Sequence, residues 1–302
     1  MHVTSQVPLI AVDWGTSSLR GARLGAAGEV LEERTFARGI LSVAPGAFPA
    51  VFAEHFGDWM AQPDARCLIA GMAGSRQGWV EAPYAACPAG LAEVAAQLVW
   101  VEPARIAIVP GLCCEHDGAP DVMRGEETQV FGALQLLGVD DGLFVLPGTH
   151  SKWAQVEGGR IVRFTTAMTG EFYALLRRHS ILARTLPDAD AALCEAAFDA
   201  GVAQAQRSPG LLQSAFSVRT LSLFERLPIG DRPSYLSGLV IGEELRSRGL
   251  GGDAGASMIV IGADALTRRY ERALGRCDVR VRSVGAAAGW SGLWSLARRL
   301  AA

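Results

Sequence analysis

The chain has 302 residues, which is about two domains at the usual domain size. Half of the residues are hydrophobic, so the chain can bury a full core, and its net charge of −3 gives no electrostatic reason to expect a nucleic acid or an anionic membrane as partner. The six cysteines show no C-x-x-C pattern and no histidine at metal-ligand spacing, so neither a zinc site nor a disulfide framework is indicated. Without a basic leader before residue 7 or an apolar stretch long enough to span a bilayer, we expect a cytoplasmic protein.

The first predicted element is a β-hairpin around a turn of small and hydroxyl residues. Residues 9–12 form an apolar run typical of a buried strand, which ends at Asp13, and the chain returns through residues 19–24 after a turn at 15–18. Backbone N–H groups of such a turn can face phosphate oxygens, and a carboxylate beside it can hold Mg²⁺ through water. An ordinary hairpin has the same pattern, so alone it indicates a phosphate site only weakly.

A second buried strand is predicted at residues 67–73, after a strand at 28–38 and an amphipathic helix at 47–60. It too ends in polar residues, and an α/β sheet places its sites at the carboxyl ends of its strands. Arg76 offers a planar fork for a carboxylate or phosphate, Gln77 an amide for a hydroxyl, and Trp79 a flat wall. A surface turn with a salt-bridged arginine explains the cluster equally well.

The middle of the chain contains a predicted domain crossing and a pair of carboxylates. A helix is predicted at 91–101 and a strand at 105–109. The following residues 113–121 are rich in turn residues and lack periodicity, so we place the crossing between the domains there. The predicted domains are 1–115 and 116–302. Glu126 and Glu127 then open a predicted helix that closes at Gly138. The helix dipole is a sufficient structural reason for both carboxylates, and a catalytic role is the alternative.

A second Gly-Thr turn follows the next buried strand. Residues 143–146 lead into the sequence PGTHSKW, residues 147–153, and then into a hairpin that ends near residue 164. Two such turns, one in each predicted domain, indicate phosphate binding far more specifically than one.

The remaining elements are mostly helical. Helices are predicted at 170–179, 189–206, 211–227 and 233–248, with a last buried strand at 258–261 that ends in Gly262 and Ala263 and opens a helix at 265–274. A glycine turn at this point lets a flat ring approach the backbone. A strand at 278–282 and a helix at 285–300 complete the chain, and the small residues at 285–289 predict close helix packing.

In this order the pieces resemble the actin/hexokinase/Hsp70 superfamily, in which two ribonuclease-H-like domains clamp ATP between them. DWGTSSLR looks like its first phosphate loop, LPGTHSKW like its second, VIGADAL like its adenosine loop, and the C-terminal helix like a connector that packs at the interdomain interface. Within the superfamily, AGMAGSRQGWVEAPY, DVMRGEETQVFGAL, LPGTHSKW and TTAMTGEFYALLRRHS together resemble the 2-dehydro-3-deoxygalactonokinase family, over nearly the whole chain.

The resemblance implies an α/β fold with a nucleotide cleft between two ribonuclease-H-like domains. It also implies transfer of phosphate from ATP, with Mg²⁺, to the terminal primary hydroxyl of 2-dehydro-3-deoxy-D-galactonate, giving the 6-phosphate. Asp13 would position Mg²⁺. Glu126 stands where similar sugar kinases have an Asp in Gly-Asp-Gln as catalytic base, and this departure leaves Glu127 in consideration.

The resemblance further implies two sets of contacts. Arg76 and Gln77 match an Arg-Glu pair that holds the sugar in similar kinases, with Gln in place of Glu. The expected sugar-acid contacts are Arg76, Gln77, Trp79 and Glu127. The expected ATP contacts are Gly15, Thr16, Ser17, Arg20, Gly148, Thr149, His150, Ser151, Lys152, Gly262 and Ala263.

Three other functions are considered: a kinase for another sugar or sugar acid, a phosphohydrolase of the same fold, and a nucleotide-driven clamp. The clamp would need a peptide-binding module, for which 302 residues leave no room after two such domains. The sequence leaves a homodimer open.

Overall fold

The computed structural model describes residues 9–189, 192–250 and 257–300. In chain order the strands are β1 (Leu9–Trp14), β2 (Leu19–Leu24), β3 (Val30–Phe36), β4 (Arg66–Gly71), β5 (Tyr84–Ala86), β6 (Val99–Glu102), β7 (Ile106–Ile108), β8 (Gly111–His116), β9 (Ala119–Met123), β10 (Gly142–Leu146), β11 (Ser151–Glu157), β12 (Arg160–Ala167), β13 (Ser257–Ile261) and β14 (Arg280–Val284). The helices are α1 (Phe48–Phe56), α2 (Leu91–Ala95), α3 (Glu126–Leu137), α4 (Thr169–His179), α5 (Glu195–Arg207), α6 (Leu211–Ser214), α7 (Ser217–Leu223), α8 (Arg232–Ser247), α9 (Asp264–Gly275) and α10 (Ala288–Leu300).

The chain divides into two compact units. The first contains the described residues up to Phe144, Ala154–Thr165 and those from Val284 onward. The second contains Val145–Trp153 and the described residues of Thr166–Ser283. The predicted division into ribonuclease-H-like domains after residue 115 stays a prediction. Of the helices that the structure describes, none is long and apolar enough to cross a membrane.

The predicted opening hairpin lies at the centre of a six-stranded sheet with the strand order β3-β2-β1-β4-β7-β6. Strand β1 pairs antiparallel with β2 and parallel with β4. Its consecutive residues Ile10, Ala11 and Val12 are all buried, so both faces of this strand are covered. The aromatic stripe of α1 packs into the same core, with Phe48, Phe52 and Phe56 buried. A further sheet has the order β12-β11-β10-β13-β14, and a three-stranded sheet has the order β5-β8-β9.

Three sequence predictions of local structure are wrong. The predicted helix at 91–101 ends at Ala95, because the β-branched and aromatic residues 99–101 join the sheet as β6. Residues 113–121 are not irregular, because they form most of the β8–β9 hairpin. The predicted helix at 211–227 is two short helices, and between them the Ser217 hydroxyl donates to the Ser214 carbonyl, a side-chain bond that competes with the helical ladder.

Helices α3 and α10 pack backbone to backbone in the first unit. A Cβ at Gly132 would overlap the Ala288 carbonyl oxygen, and a Cβ at Gly292 would overlap that of Thr128. The close contact therefore uses Ala288, within the small residues at 285–289 that predicted it, and also Gly292, which lies beyond them. Since α3 begins with Glu126, this packing fixes the helix that carries the carboxylate pair.

Candidate active site

Asp13 and Arg20 form an ion pair at the end of the opening hairpin. The antiparallel register of β1 and β2 places them opposite each other, and Arg20 Nη2 lies 2.5 Å from Asp13 Oδ2. Both side chains are partly exposed. The Arg20 guanidinium also lies over the Trp290 ring, with Cζ 5.7 Å from the centroid. The pair is therefore held in place but remains accessible.

The 15–18 turn is closed by its own backbone and faces outward. The Gly15 N–H donates to the Ser18 carbonyl at 2.9 Å, and the Ile40 N–H donates to the Gly15 carbonyl at 3.0 Å. Thr16 and Ser17 are exposed, and within the described residues their backbone N–H groups have no hydrogen-bond partner. Such N–H groups are available to an anion.

Two glycines let the start of α3 approach the end of β1. Gly71, after β4, has φ +88°, and a Cβ there would lie 3.0 Å from Asp13 Oδ1. Gly125, before α3, has φ +105°, and its Cβ would lie 3.2 Å from the Gly71 Cα. A small cavity is lined by Asp13, Arg20 and Gly125 among others. The structure thus brings the hairpin and the start of the carboxylate helix to one place.

The two glutamates at the start of α3 have different surroundings. Glu127 is 0% exposed, and both of its carboxylate oxygens accept from the Gly125 N–H, at 2.9 and 2.7 Å. Burial, assisted by the charge of Glu126, raises the pKa of Glu127 to about 8. Glu126 is half-buried, and its Oε2 accepts from the Arg124 N–H at 3.0 Å.

The predicted sugar-acid cluster after β4 is split between surface and core. The Arg76 side chain is 88% exposed and touches Glu81 only loosely, at 3.4 Å, and Gln77 is exposed as well. Trp79 instead packs among core aromatics, with its ring centroid 5.5 Å from that of Phe52. None of these three residues lines the cavity beside Asp13.

Sequence reasoning missed Arg124 near this cluster. Arg124 is a buried guanidinium that donates to the Ala82 carbonyl at 2.8 Å and lies over the Tyr84 ring. Its only sequence signal is its place two residues before Glu126.

In the second unit, the 147–150 turn joins β10 to β11 and lies against the N-terminus of α4. The Glu171 N–H donates to the Thr149 carbonyl at 3.0 Å, and a Cβ at Gly170 would lie 2.8 Å from the Thr149 Cα. His150 Nε2 is 2.5 Å from Glu171 Oε2 at the surface. The exposed residues Thr149 and His150 thus lie beside the N-terminal end of α4, and the N-terminal end of a helix favours anions.

Ser151 and Lys152, at the start of β11, direct their side chains inward. The Ser151 hydroxyl is 2.8 Å from the Tyr270 hydroxyl, and Lys152 Nζ donates to Thr166 Oγ1 at 2.8 Å. Both residues are buried. Their predicted phosphate contacts stay predictions.

The predicted adenosine loop lies beside the 147–150 turn. Gly262 and Ala263 separate β13 from α9, and a Cβ at Gly262 would lie 3.9 Å from the Pro147 carbonyl oxygen. Ala263 is exposed. The two predicted ATP segments of the second unit are therefore neighbours.

A buried carboxylate, Glu244 on α8, lies under these segments and was missed as well. Trp153, Thr169 and Tyr270 all donate to it. The sequence offers one weak signal, a glutamate at an otherwise buried position of a helix.

A sequence model of the 2-keto-3-deoxy-galactonokinase family matches residues 13–296. The chain belongs to this family. A curated relative from Rhizobium meliloti (strain 1021), designated 2-dehydro-3-deoxygalactonokinase DgoK1, is 39% identical over 91% of this chain and 92% of its own length. The 2-dehydro-3-deoxygalactonokinase of Escherichia coli (strain K12) is 38% identical over 97% of this chain and 98% of its own.

Solved structures agree with the family and with the predicted fold. A crystal structure assigned to a 2-dehydro-3-deoxygalactonokinase from Sinorhizobium meliloti is 38% identical and superposes with a TM-score of 0.89, covering 97% of this chain and 99% of that one. Component A of (R)-2-hydroxyglutaryl-CoA dehydratase from Acidaminococcus fermentans covers 98% of this chain and 100% of its own with a TM-score of 0.56 at 13% identity, which concerns the fold alone. The α/β fold of actin/hexokinase-like ATPases is confirmed.

Proposed function

We propose that this chain transfers the γ-phosphoryl group of ATP to 2-dehydro-3-deoxy-D-galactonate. The observation that carries the proposal is family membership, since the family match extends over residues 13–296 and relatives of the same activity align over nearly their whole length. The acceptor atom that we propose is the oxygen of the terminal primary hydroxyl, so that the product is the 6-phosphate.

Phosphoryl transfer needs alignment, neutralisation of phosphate charge and a group that accepts the hydroxyl proton. We assign the last role to Glu126. Its half-buried carboxylate can meet a substrate, whereas the fully buried carboxylate of Glu127 is held against the Gly125 N–H group. Glu127 then acts as a fixed cap of α3.

The residues around Asp13 fit Mg²⁺. In the described part of the chain no three His, Cys, Asp or Glu side chains form a metal-binding cluster, and Mg²⁺ in phosphotransfer sites needs only one or two carboxylates besides phosphate oxygens and water. Asp13 offers one partly exposed carboxylate next to the unpaired N–H groups of the 15–18 turn. When bound there, the ion would neutralise phosphate charge, while Arg20 keeps the Asp13 carboxylate in place.

The nucleotide contacts that we propose lie at the two phosphate turns and at the predicted adenosine loop. In the first unit the N–H groups of the 15–18 turn bind phosphate oxygens. In the second unit the 147–150 turn and the N-terminus of α4 do the same, and Gly262 and Ala263 receive the adenosine. The support is that each turn presents exposed residues and is fixed by backbone bonds.

For the sugar acid, Arg76 remains our candidate cation, because its guanidinium is exposed and only loosely paired. A planar fork can bind a carboxylate through two parallel hydrogen bonds. Cytoplasmic location stays a prediction from the sequence, and the oligomeric state stays open.

The decisive experiment is an ADP-release assay over a panel of sugar acids. We expect release that depends on 2-dehydro-3-deoxy-D-galactonate, a smaller rate with its gluconate epimer, and a 6-phosphate product by ³¹P NMR. ADP release that is equally fast without any acceptor would instead identify a phosphohydrolase. A preference for another sugar would identify a kinase with a different acceptor.

A further inference from the structure

Glu244 binds three donors that come from three separate elements of the second unit. Its carboxylate group is almost closed to solvent, since the residue is 4% exposed. Trp153 Nε1 donates to Oε1 at 2.5 Å, the Tyr270 hydroxyl donates to Oε2 at 2.6 Å, and the Thr169 hydroxyl donates to the same Oε2. A buried charge is tolerated only when it is hydrogen-bonded in this way.

Each donor lies in an element that begins at or next to a segment that we assign to the nucleotide. Trp153 lies on β11, three residues after the 147–150 turn. Thr169 is the first residue of α4, whose N-terminus lies against that turn. Tyr270 lies on α9, which begins just after Gly262 and Ala263. One carboxylate therefore connects three elements: the strand β11 that follows the phosphate turn, the first turn of α4, and the helix α9 that follows the adenosine loop.

The network also has a direction. Because Tyr270 gives its proton to Glu244, it accepts at its oxygen from Ser151, and the Ser151 proton is directed inward. Burial raises the pKa of Glu244, and the three hydrogen bonds only partly oppose that rise, as does the charge of Arg248, whose guanidinium lies over the Trp153 ring. The Glu244 carboxylate thus accepts from the Thr169 and Tyr270 hydroxyls, and through Tyr270 it sets the direction of the Ser151 hydroxyl.

Stability alone does not explain this arrangement, since buried ionic networks can often be replaced by apolar groups without loss of stability. We propose that Glu244 is a positioning residue for the nucleotide, which holds the 147–150 turn and the first turn of α4 in their phosphate-binding geometry. The inference rests on the proposed use of ATP.

The test compares Glu244→Gln with Glu243→Gln. Glutamine keeps the volume of the side chain but has only one acceptor oxygen, and the Trp153 N–H requires it. The amide N–H₂ group would then face the Thr169 and Tyr270 hydroxyls. Because this group donates, both hydroxyls would have to turn their protons away and accept instead. Glu243 is the matched control, because it is the adjacent residue of α8 and pairs only with Arg246 among the described residues.

We expect Glu244→Gln to raise the Kd for ADP, measured by calorimetry well below its Tm, and the KM for ATP by about ten- to a hundredfold. The KM for the sugar acid should change less than twofold, and Glu243→Gln should match the parent. Tyr270→Phe keeps the ring and deletes the hydroxyl between Glu244 and Ser151, so it should shift ADP affinity in the same direction by a smaller factor.

A folded Glu244→Gln variant with parental ADP affinity overturns the inference, even if its Tm is lower, since the carboxylate would then serve stability only. If Glu244→Gln does not fold, Tyr270→Phe decides: parental ADP affinity in that variant overturns the inference, and weakened affinity supports it. Failure of the proposed function is a separate result, namely a parent protein that neither binds ADP nor turns over a sugar acid.

Discussion

Glu126 and Glu127 are consecutive residues of one helical turn, yet Glu127 is completely buried and Glu126 is half-buried. We expect Glu126→Gln to lower kcat by about 10²–10⁴, the usual contribution of a positioned base, while Tm stays close to that of the parent. Steady-state kinetics and thermal unfolding measure both quantities. Near-normal turnover in Glu126→Gln together with inactivity of Glu127→Gln would transfer the role to the second residue.

The raised pKa of Glu127, about 8 against 4.5, predicts a pH-dependent stability. The folded protein keeps this proton to higher pH than the unfolded chain, so the stabilising contribution is fully present below pH 4.5 and is lost as pH rises through 8. Relative to Glu127→Gln, the parent should lose up to about 1.4 kcal/mol of unfolding free energy per pH unit within this window. Denaturant melts of both proteins at several pH values measure the difference. A constant difference would mean that Glu127 is ionised in the folded state throughout.

Asp13→Asn should fold normally and lose Mg²⁺-dependent turnover. The amide keeps the shape of the side chain but removes the negative charge that would hold the ion and that pairs with Arg20. Activity is measured against Mg²⁺ concentration, and circular dichroism controls for folding. Full activity at ordinary Mg²⁺ would contradict the phosphate-site interpretation of the opening hairpin.

Arg76→Lys should raise the KM for the sugar acid by about ten- to a hundredfold and leave the KM for ATP unchanged, because lysine keeps the charge but cannot form two parallel bonds to a carboxylate. Glu81→Gln is the control, since it removes the only ion-pair partner of Arg76 among the described residues but keeps the guanidinium. If the KM for ATP rises instead, Arg76 serves the nucleotide.

Gly292→Ala should lower the stability of the protein by about 1–3 kcal/mol or more. In a helix interior, alanine is normally more stable than glycine by about 1 kcal/mol. Here its Cβ would overlap the Thr128 carbonyl oxygen of α3, and relief of this overlap requires a shift of backbone atoms. The control is Gly275→Ala at the end of α9, where no described atom lies within 4 Å of the added carbon. Urea midpoints measure both variants, and equal midpoints would show that α10 can shift.

Local patterns predicted the parts of this fold that depend on local physics. Buried strands such as residues 9–12 and 258–261 are recognisable because apolar runs end at glycine or polar residues. The start of α3 is recognisable because carboxylates follow Gly125 and favour the positive end of a helix dipole. Strand β6 was not predicted, because a short apolar run has the same composition in a helix as in a strand.

The features that the sequence did not predict depend on partners that are distant along the chain. Glu244 lies 91 residues from Trp153 and 75 from Thr169, so only the folded chain reveals a common carboxylate. Ser151 likewise meets Tyr270 across 119 residues, and no local pattern distinguishes an inward hydroxyl from one that faces a phosphate. Arg124 was missed for the same reason, because its contact with Ala82 is 42 residues away.

The packing of α10 on α3, β1, β2 and β4 has a consequence for synthesis. A ribosome releases the chain from its N-terminus at about 5–20 residues per second, so α3 emerges roughly ten to thirty seconds before α10. During that interval the face of α3 at Gly132 lacks the partner that covers it in the finished protein. The helix that opens with Glu126 therefore reaches its final support only after α10 has been translated.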